Sequence, residues 1–472
     1  MFGFSKEVLL KKELLYYLDR QTDYVSSHDI AETMGNITSQ TVLKYIKELE
    51  EDLAKVYEPS EISLQVNKRF GIKLFRHNAN FGRVLEFLFM KSPVYEIFKE
   101  LLLHRQVDTG EICEQMEISL SNLKRIITRI NEAIATYGLR MTVGTNVKIT
   151  GKESSIRFVF FLFFYHVHHT YSNIPWQNDP TYLERAHKIS SALYADKKPI
   201  MVETIALWLF INQIAKENDS FLESLDLYVY FNENIIEKSH VSDLDLNEWY
   251  YFLLCLYALD ILDLSLFLNL ERIHNHHFSN LSSQWIELYE KHFERLTIEE
   301  KIWVRLTFQK SAIFERFQFI SSDLSKIFSP INYQEIETHY PVFIKKFEIF
   351  CKEMALALEC NDNLFFYAKS LELCLRFTSP DKMAMTVSVF LMTVLSNGAS
   401  KRIKKQLQNN FLNRVNLIFT EEMEEADLII TTEELPAESI EKDKEVIVIR
   451  PVFSTQDLRH IEKRLYAWKK KH

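Results

Sequence analysis

Glycine and proline are scarce: nine and ten in 472 residues, well under the roughly 12% of a chain that the two usually fill. The shortage argues against glycine-loop enzymes, collagen-like segments and disordered linkers, and few breakers suit long helices. Cysteine is sparse too. The five (Cys113, Cys255, Cys351, Cys360, Cys374) form no CxxC pair, and an odd, scattered set fits reduced, buried thiols better than a disulfide framework. The longest unbroken apolar run, Phe158 to Tyr165, falls far short of the ~20 residues that cross a bilayer. No signal-peptide pattern opens the chain, because Lys11, Lys12 and Glu13 interrupt its apolar residues. A cytoplasmic protein without a membrane partner is expected. P-loop, GxGxxG, GxSxG and HExxH patterns are all missing, and no two carboxylates stand out as an acid and base. The expectation is therefore no enzymatic activity, no cofactor and no metal.

What is present is a chain with 47% hydrophobic, 13% aromatic and 26% charged residues, long enough for about three domains and rich in helix. Its formal charge of −9 is unevenly placed: residues 1–155 hold 21 basic and 21 acidic residues, and the whole excess of acid lies beyond them.

An internal repeat dominates the first third. Ser26 to Asp29 precede Ile30 and Met34, Gly35 and Asn36 break the helix, and a second helix opens at Thr38 or Ser39 with Val42, Ile46, Leu49 and Leu53 on one face. The pattern recurs: Asp108 and Thr109 cap a helix carrying Ile112 and Met116, a break follows at Glu117, and Leu123, Ile127, Ile130 and Ile134 repeat the stripe. Two short helices joined by a tight turn, twice over, read as tandem helix-turn-helix units. Each is followed by a predicted strand pair. Ile62, Leu64 and Val66 alternate before an Asn67–Gly71 turn and then Ile72 and Leu74. In the second copy Leu139, Met141 and Val143 precede a Gly144–Asn146 turn, then Val147 and Ile149. These hairpins are candidate wings.

From 156 to about 385 the pattern is helical, with Ile200–Ala215, Trp249–Leu268, Glu299–Phe319 and Phe343–Leu358 as its main stretches. Beyond Pro380 short apolar runs (Val387–Leu391, Val415–Phe419, Leu428–Ile430, Val446–Ile449) alternate with helices at Lys401–Phe411 and from Thr455. That alternation predicts a small α/β domain with a mostly parallel sheet.

In a helix-turn-helix the second helix enters the major groove with its early residues at base edges. The candidates are Ser39, Gln40, Thr41, Lys44 and Lys47 in the first unit and Ser121, Asn122, Lys124, Arg125 and Arg129 in the second. Acids from Glu48 to Asp52 would sit beyond the groove. The wings add Lys68, Arg69, Lys73 and Arg76, then Arg140, Lys148 and Lys152, with no acid in residues 64–76 or 139–152. Such charges pair with phosphates and make binding salt-dependent. The bland alternative is two helical domains that bind protein or only hold the fold. Histidines cluster at His166, His168 and His169 and at His274, His276 and His277, where polar helix ends are favoured over a regulatory or metal role. The Ser396–Ser400 loop, with its single Gly398, follows a strand and opens a helix, and reads as an ordinary turn more readily than as an anion cradle.

The ordered set of parts resembles the Mga/AtxA family of Gram-positive transcriptional regulators along essentially the whole chain. The residues that carry this are Asp29-Ile-Ala-Glu-Thr-Met, Thr41-Val-Leu-Lys-Tyr-Ile, Leu123-Lys-Arg-Ile-Ile, the run from Ile149 to Phe158, Pro175-Trp176, the Ser-Asn-Gly loop and Ala426-Asp-Leu-Ile-Ile. The resemblance implies a mainly α chain with five parts: winged helix-turn-helix units at 1–78 and 79–153, helical bundles similar to phosphotransferase-system regulatory domains (PRD) at 154–285 and 286–382, and an enzyme IIB-like α/β domain at 383–472. It implies an activator of virulence or carbohydrate-linked genes that binds double-stranded promoter DNA. Its partners would be a second copy in a homodimer or higher oligomer, RNA polymerase and phosphotransferase-system proteins. The chain departs from that family's pattern in two places. Residues 188–239 and 293–338 contain no histidine, leaving His187 and His339 as poor candidates for regulatory phosphorylation. Ala399 stands about where an enzyme IIB carries its phosphorylated cysteine. The competing functions are a phosphotransferase-linked signalling protein acting by protein contacts, and a low-specificity architectural DNA-binding protein.

Overall fold

The computed structural model describes residues 2–35, 37–193, 199–223, 226–232, 244–263, 268–269, 277–317, 327, 331–358, 364–383, 385–411, 415–433, 445–452 and 454–471. Helices dominate, and the chain divides into two compact units, one of residues 1–280 with 305–328 and one of 281–304 with 329–472.

The first unit begins with α1 (Lys6–Asp19), then α2 (Ser27–Met34) and α3 (Ser39–Val56). Each start has a side-chain cap: Ser26 Oγ accepts the Asp29 N–H at 3.1 Å and Thr38 Oγ1 accepts that of Thr41 at 3.2 Å. Gly35, at φ 69°, supplies the left-handed turn that ends α2. The hairpin of β1 (Ile62–Asn67) and β2 (Gly71–Arg76) follows. Its inward residues Ile62, Leu64, Ile72 and Leu74 join the apolar stripe of α3 and residues of α1 in one core, closed by α4 (Gly82–Met90).

The second copy repeats the plan. After α5 (Pro93–His104) and the three-residue β3 (Gln106–Asp108) come α6 (Thr109–Gln115) and α7 (Leu120–Ile134), then β4 (Arg140–Val143) and β5 (Asn146–Thr150). Asp108 caps α6, and Glu117, at φ 53°, makes the expected break. The predicted hairpin is the larger part of a three-stranded sheet, because β3 pairs with β5. The first copy has a one-residue counterpart in the Val25–Ile72 bridge.

α8 (Glu153–His168) is buried all round, with Phe158 to Phe164 fully covered. Phe163 stacks on Phe98 at 4.0 Å and Phe161 on Trp208 at 4.4 Å, so α8 binds α5 to α10 (Pro199–Glu217). The one cation in this run, Arg157, forms a two-pronged pair with Glu248 and also reaches Glu153 (3.0 Å), Asn212 (2.8 Å) and the Ser220 carbonyl (2.7 Å). α9 (Thr181–Ala192) lies between α8 and α10 in the chain, and α11 (Leu246–Ala258) follows. The helix predicted over Trp249–Leu268 thus stops at Ala258. Asp260 turns left-handed at φ 60° and Leu268 bridges to Phe231; apolar residues continue past Asp260 and Asp263, so the hydrophobic pattern did not show where the helix ends.

α12 (His277–His292) and α13 (Ile298–Arg316) come next in the chain, and α14 (Tyr333–His339), α15 (Pro341–Leu358) and α16 (Leu364–Phe377) belong to the second unit. The strands expected beyond Pro380 form as β6 (Met385–Met392), β7 (Val415–Thr420), β8 (Leu428–Thr431) and β9 (Glu445–Val448). They build one sheet in the order β7-β6-β8-β9, parallel throughout. α17 (Asn397–Phe411) and α18 (Thr455–Lys471) pack Ile403, Leu407, Ile461 and Leu465 into its core. Among the described residues no helix is long and apolar enough to cross a membrane.

Candidate nucleic-acid interface

Burial of Val42, Ile46, Leu49 and Leu53 turns the opposite side of α3 outward. Gln40, Lys44 and Lys47 are exposed there, and Ser39 and Thr41 are half-buried at the capped start. Lys44 leans toward Glu48 at 3.8 Å, which takes part of its charge out of play. Two of the acids that the sequence places beyond the groove are occupied internally. Glu48 pairs with Lys11 at 2.7 Å, and buried Asp52 accepts Lys91 at 2.7 Å and Lys55 at 3.4 Å.

α7 presents Ser121, Lys124 and Arg125 to solvent, with Asn122 half-buried and its Oδ1 3.4 Å from Arg125. Arg129 departs from the sequence reading. It is half-buried beside the apolar stripe and lines a cavity of about 290 Å³ with Lys11, Asp52, Lys91 and Ile126. One turn beyond Arg125 and only about 40° round the helix, it is rotated toward the buried Ile126 and Ile130 and is half-buried where Arg125 is exposed.

Lys68 and Arg69 are exposed at the tip of the first hairpin. Its other two bases are used inside the protein: Lys73 donates to the Thr22 carbonyl at 2.8 Å, and Arg76 grips Asp19 at 2.6 and 3.1 Å, which keeps its guanidinium firmly protonated. Arg140, Lys148 and Lys152 are exposed on the second sheet and its exit. Lys47, Lys68, Arg69, Lys124, Arg125, Arg140, Lys148 and Lys152 form no ion pair with any described residue, and they make up the free cationic set of unit one's candidates. Sequence reasoning missed the exposed apolar residues among them, Leu43 on α3, Leu120 opening α7, and Val66 and Phe70 on the first hairpin. A large apolar residue on a helix's polar face, or in an otherwise basic turn, is the signal that could have found them.

The first histidine cluster holds no shared site. His168 is buried, with Nδ1 2.5 Å from Glu86 and Nε2 2.8 Å from the Tyr95 hydroxyl, whose oxygen accepts the Trp176 indole N–H at 2.8 Å. Burial drives the His166 imidazole down to about 3, with Lys12 adding to the effect, and His169 is exposed at the helix end. His187 is exposed on α9; the His339 side chain, the His277 side chain, His274 and His276 lie outside the described residues, as do Asn36 and Cys360. In the Ser396–Ser400 loop Ser396 caps α17, its Oγ accepting the Ala399 N–H at 3.4 Å. The other four cysteines are unpaired thiols, with Cys255 and Cys374 buried.

Residues 77–164 match the family model described as the Mga helix-turn-helix domain. The match runs from the end of the first hairpin through α4 to α7 and the second sheet into α8. No curated protein matches the chain. The chain thus carries a Mga helix-turn-helix domain, a finding consistent with the Mga/AtxA family and one that supports a DNA-binding transcriptional regulator of the Mga type.

Proposed function

We propose that the protein activates transcription by gripping promoter DNA with two winged helix-turn-helix units, α2–α3 with β1–β2 and α6–α7 with β3–β5. The observation that carries this reading is the free cationic set. Lys124 and Arg125 stand on the open face of α7 and Lys68 and Arg69 at the first hairpin tip, without ion-pair partners among the described residues, while nearby acids such as Asp52 and Glu48 are neutralised from within. Phosphate contacts of this kind hold the protein on the duplex, and Gln40, Ser121 and Asn122 are of the type that reads base edges. Exposed Leu43 and Leu120 suit thymine methyl groups.

On the same reading, residues 154–285 and 286–382 are PRD-like regulatory bundles and 383–472 an enzyme IIB-like domain. A homodimer supported by these parts would double the cationic contacts and fix half-site spacing. RNA polymerase and phosphotransferase-system proteins are the further partners, in a cytoplasmic setting. Ala399 leaves the terminal domain without a phosphorylatable thiol at its strand-to-helix loop, so it would serve as a contact domain and not an enzyme. The direct test is fluorescence anisotropy of a labelled duplex with the full chain and with Lys124→Glu/Arg125→Glu. Binding by the first and loss of at least about 2.7 kcal/mol, a hundredfold, in the second support the reading. Equal binding by both would remove α7 from the interface.

A further inference from the structure

The two hairpins end differently. In the second, Thr109 Oγ1 donates to the Gly144 carbonyl at 2.9 Å and the Thr109 N–H to that of Thr145 at 2.9 Å, tying the tip to the start of α6. No large apolar residue is exposed there. In the first, the buried inward face runs out at Val66, which is 48% exposed, and the ring of Phe70 is 58% exposed at the tip. This tip is held stiffly. Asn67 Oδ1 accepts the N–H groups of Arg69 (2.8 Å) and Phe70 (3.1 Å), and Gly71, at φ 105°, passes so close to the Val25 carbonyl that no side chain would fit. The Val25–Ile72 bridge buttresses the following strand. Arg69 lies over the Phe70 ring at 5.4 Å, and Tyr24 stands 6.1 Å from it.

A rigid, water-exposed aromatic ring is rewarded only when another surface covers it. The chemistry around this one selects the surface: Lys68 and Arg69 flank it and residues 64–76 contain no acid. A polyanion with apolar planes inside it fits that combination. We propose that the tip of the first hairpin is a DNA-kinking wedge. Phe70 enters the minor groove and partly unstacks a base step, Val66 follows it against the sugars, and Lys68 and Arg69 hold the flanking phosphates. Apolar wedges of this kind bend a duplex toward the major groove by roughly 20–90°, most cheaply at flexible pyrimidine–purine steps. The inference rests on the DNA-binding reading above and adds to it an activity, DNA distortion, together with a preference for deformable sequence that base-edge contacts would not produce.

The test uses the full chain and duplexes that it selects from a random pool, labelled at both ends with a donor and an acceptor dye. Binding should shorten the end-to-end distance. Phe70→Ala should bind roughly 5- to 150-fold more weakly, the range for one aromatic–base stack, with an unchanged salt slope and without the shortening. Phe70→Trp should restore the bend, and its added indole emission should be quenched on binding. Unaltered thermal unfolding of both variants shows that the exposed site is not holding the fold. A bend that survives Phe70→Ala, or an added indole emission in the Phe70→Trp protein that DNA leaves unchanged, overturns the wedge while leaving DNA binding intact. Failure of the wild-type chain to select any duplex overturns both.

Discussion

Replacing Lys68, Arg69, Lys124 and Arg125 with alanine should flatten the salt dependence of DNA binding by a calculable amount. The structure separates cations that are free from those already committed. Eight of the candidates, the four named with Lys47, Arg140, Lys148 and Lys152, have no ion-pair partner among the described residues, whereas Arg76 is bound to Asp19 and Arg129 is half-buried at a cavity. Each phosphate contact releases counterions and contributes about 0.9 to the slope of log affinity against log salt. Eight contacts therefore predict a slope of about −7, or a roughly 10⁴-fold loss between about 50 and 200 mM salt. With four removed the slope falls to about −4 and the loss to roughly a hundredfold. Arg76→Ala is the control: it breaks a partly exposed pair worth up to about 1 kcal/mol of stability and should leave the slope alone. Anisotropy titrations of one duplex across a salt series measure all three proteins. A quadruple variant with the wild-type slope, or an Arg76→Ala protein that flattens it equally, would refute this assignment of free and committed charge.

Glu248→Ala removes the two-pronged partner of the fully buried Arg157, which keeps Glu153 as its remaining carboxylate, and should cost about 3 kcal/mol in denaturant unfolding. His166, depressed from 6.5 to about 3 by burial, binds its proton in the unfolded chain before the folded one. Its contribution is therefore complete above pH 6.5 and erodes, by up to about 1.4 kcal/mol per pH unit, as the pH falls toward 3; His166→Phe should make unfolding curves less pH-dependent across that window. Gly71→Ala places a Cβ against the Val25 carbonyl at φ 105°. It should destabilise the protein by at least about 1–2 kcal/mol, and a DNA affinity that stays at the wild-type level despite the displaced tip would count against the hairpin's role.

Local periodicity carried most of what was legible in the sequence. The stripes on α3 and α7, their serine, threonine and aspartate caps, the alternating hairpins and the four short apolar runs of the terminal sheet all leave their mark within a dozen residues. What was hidden depends on contacts between distant residues. β3 is three residues long and exists only because β5 pairs with it. Arg157 and Glu248 are 91 positions apart, and Glu86 and His168 are 82 apart, so no local pattern announces either pair. A lone arginine opening the run that ends at Phe164 was the available sign that a buried acid must exist elsewhere. The candidate interface was legible in residue type but not in charge state, since Arg76 and Arg129 look like Lys68 and Arg125 until their surroundings are known. The exposed ring of Phe70 escaped for the converse reason: a turn rich in cations is read for its charge, and whether a lone ring within it is covered depends on packing that no local pattern records.

The central claim, sequence-directed DNA binding through α3 and α7, is tested most directly by competition. A labelled promoter fragment bound by the full chain at physiological salt is challenged with random-sequence duplex, measured per base pair. A specific regulator should release the fragment only at an excess of roughly 10³ or more. Release at equal base-pair concentrations would show that the hairpins and helices hold phosphates alone, and would contradict the account.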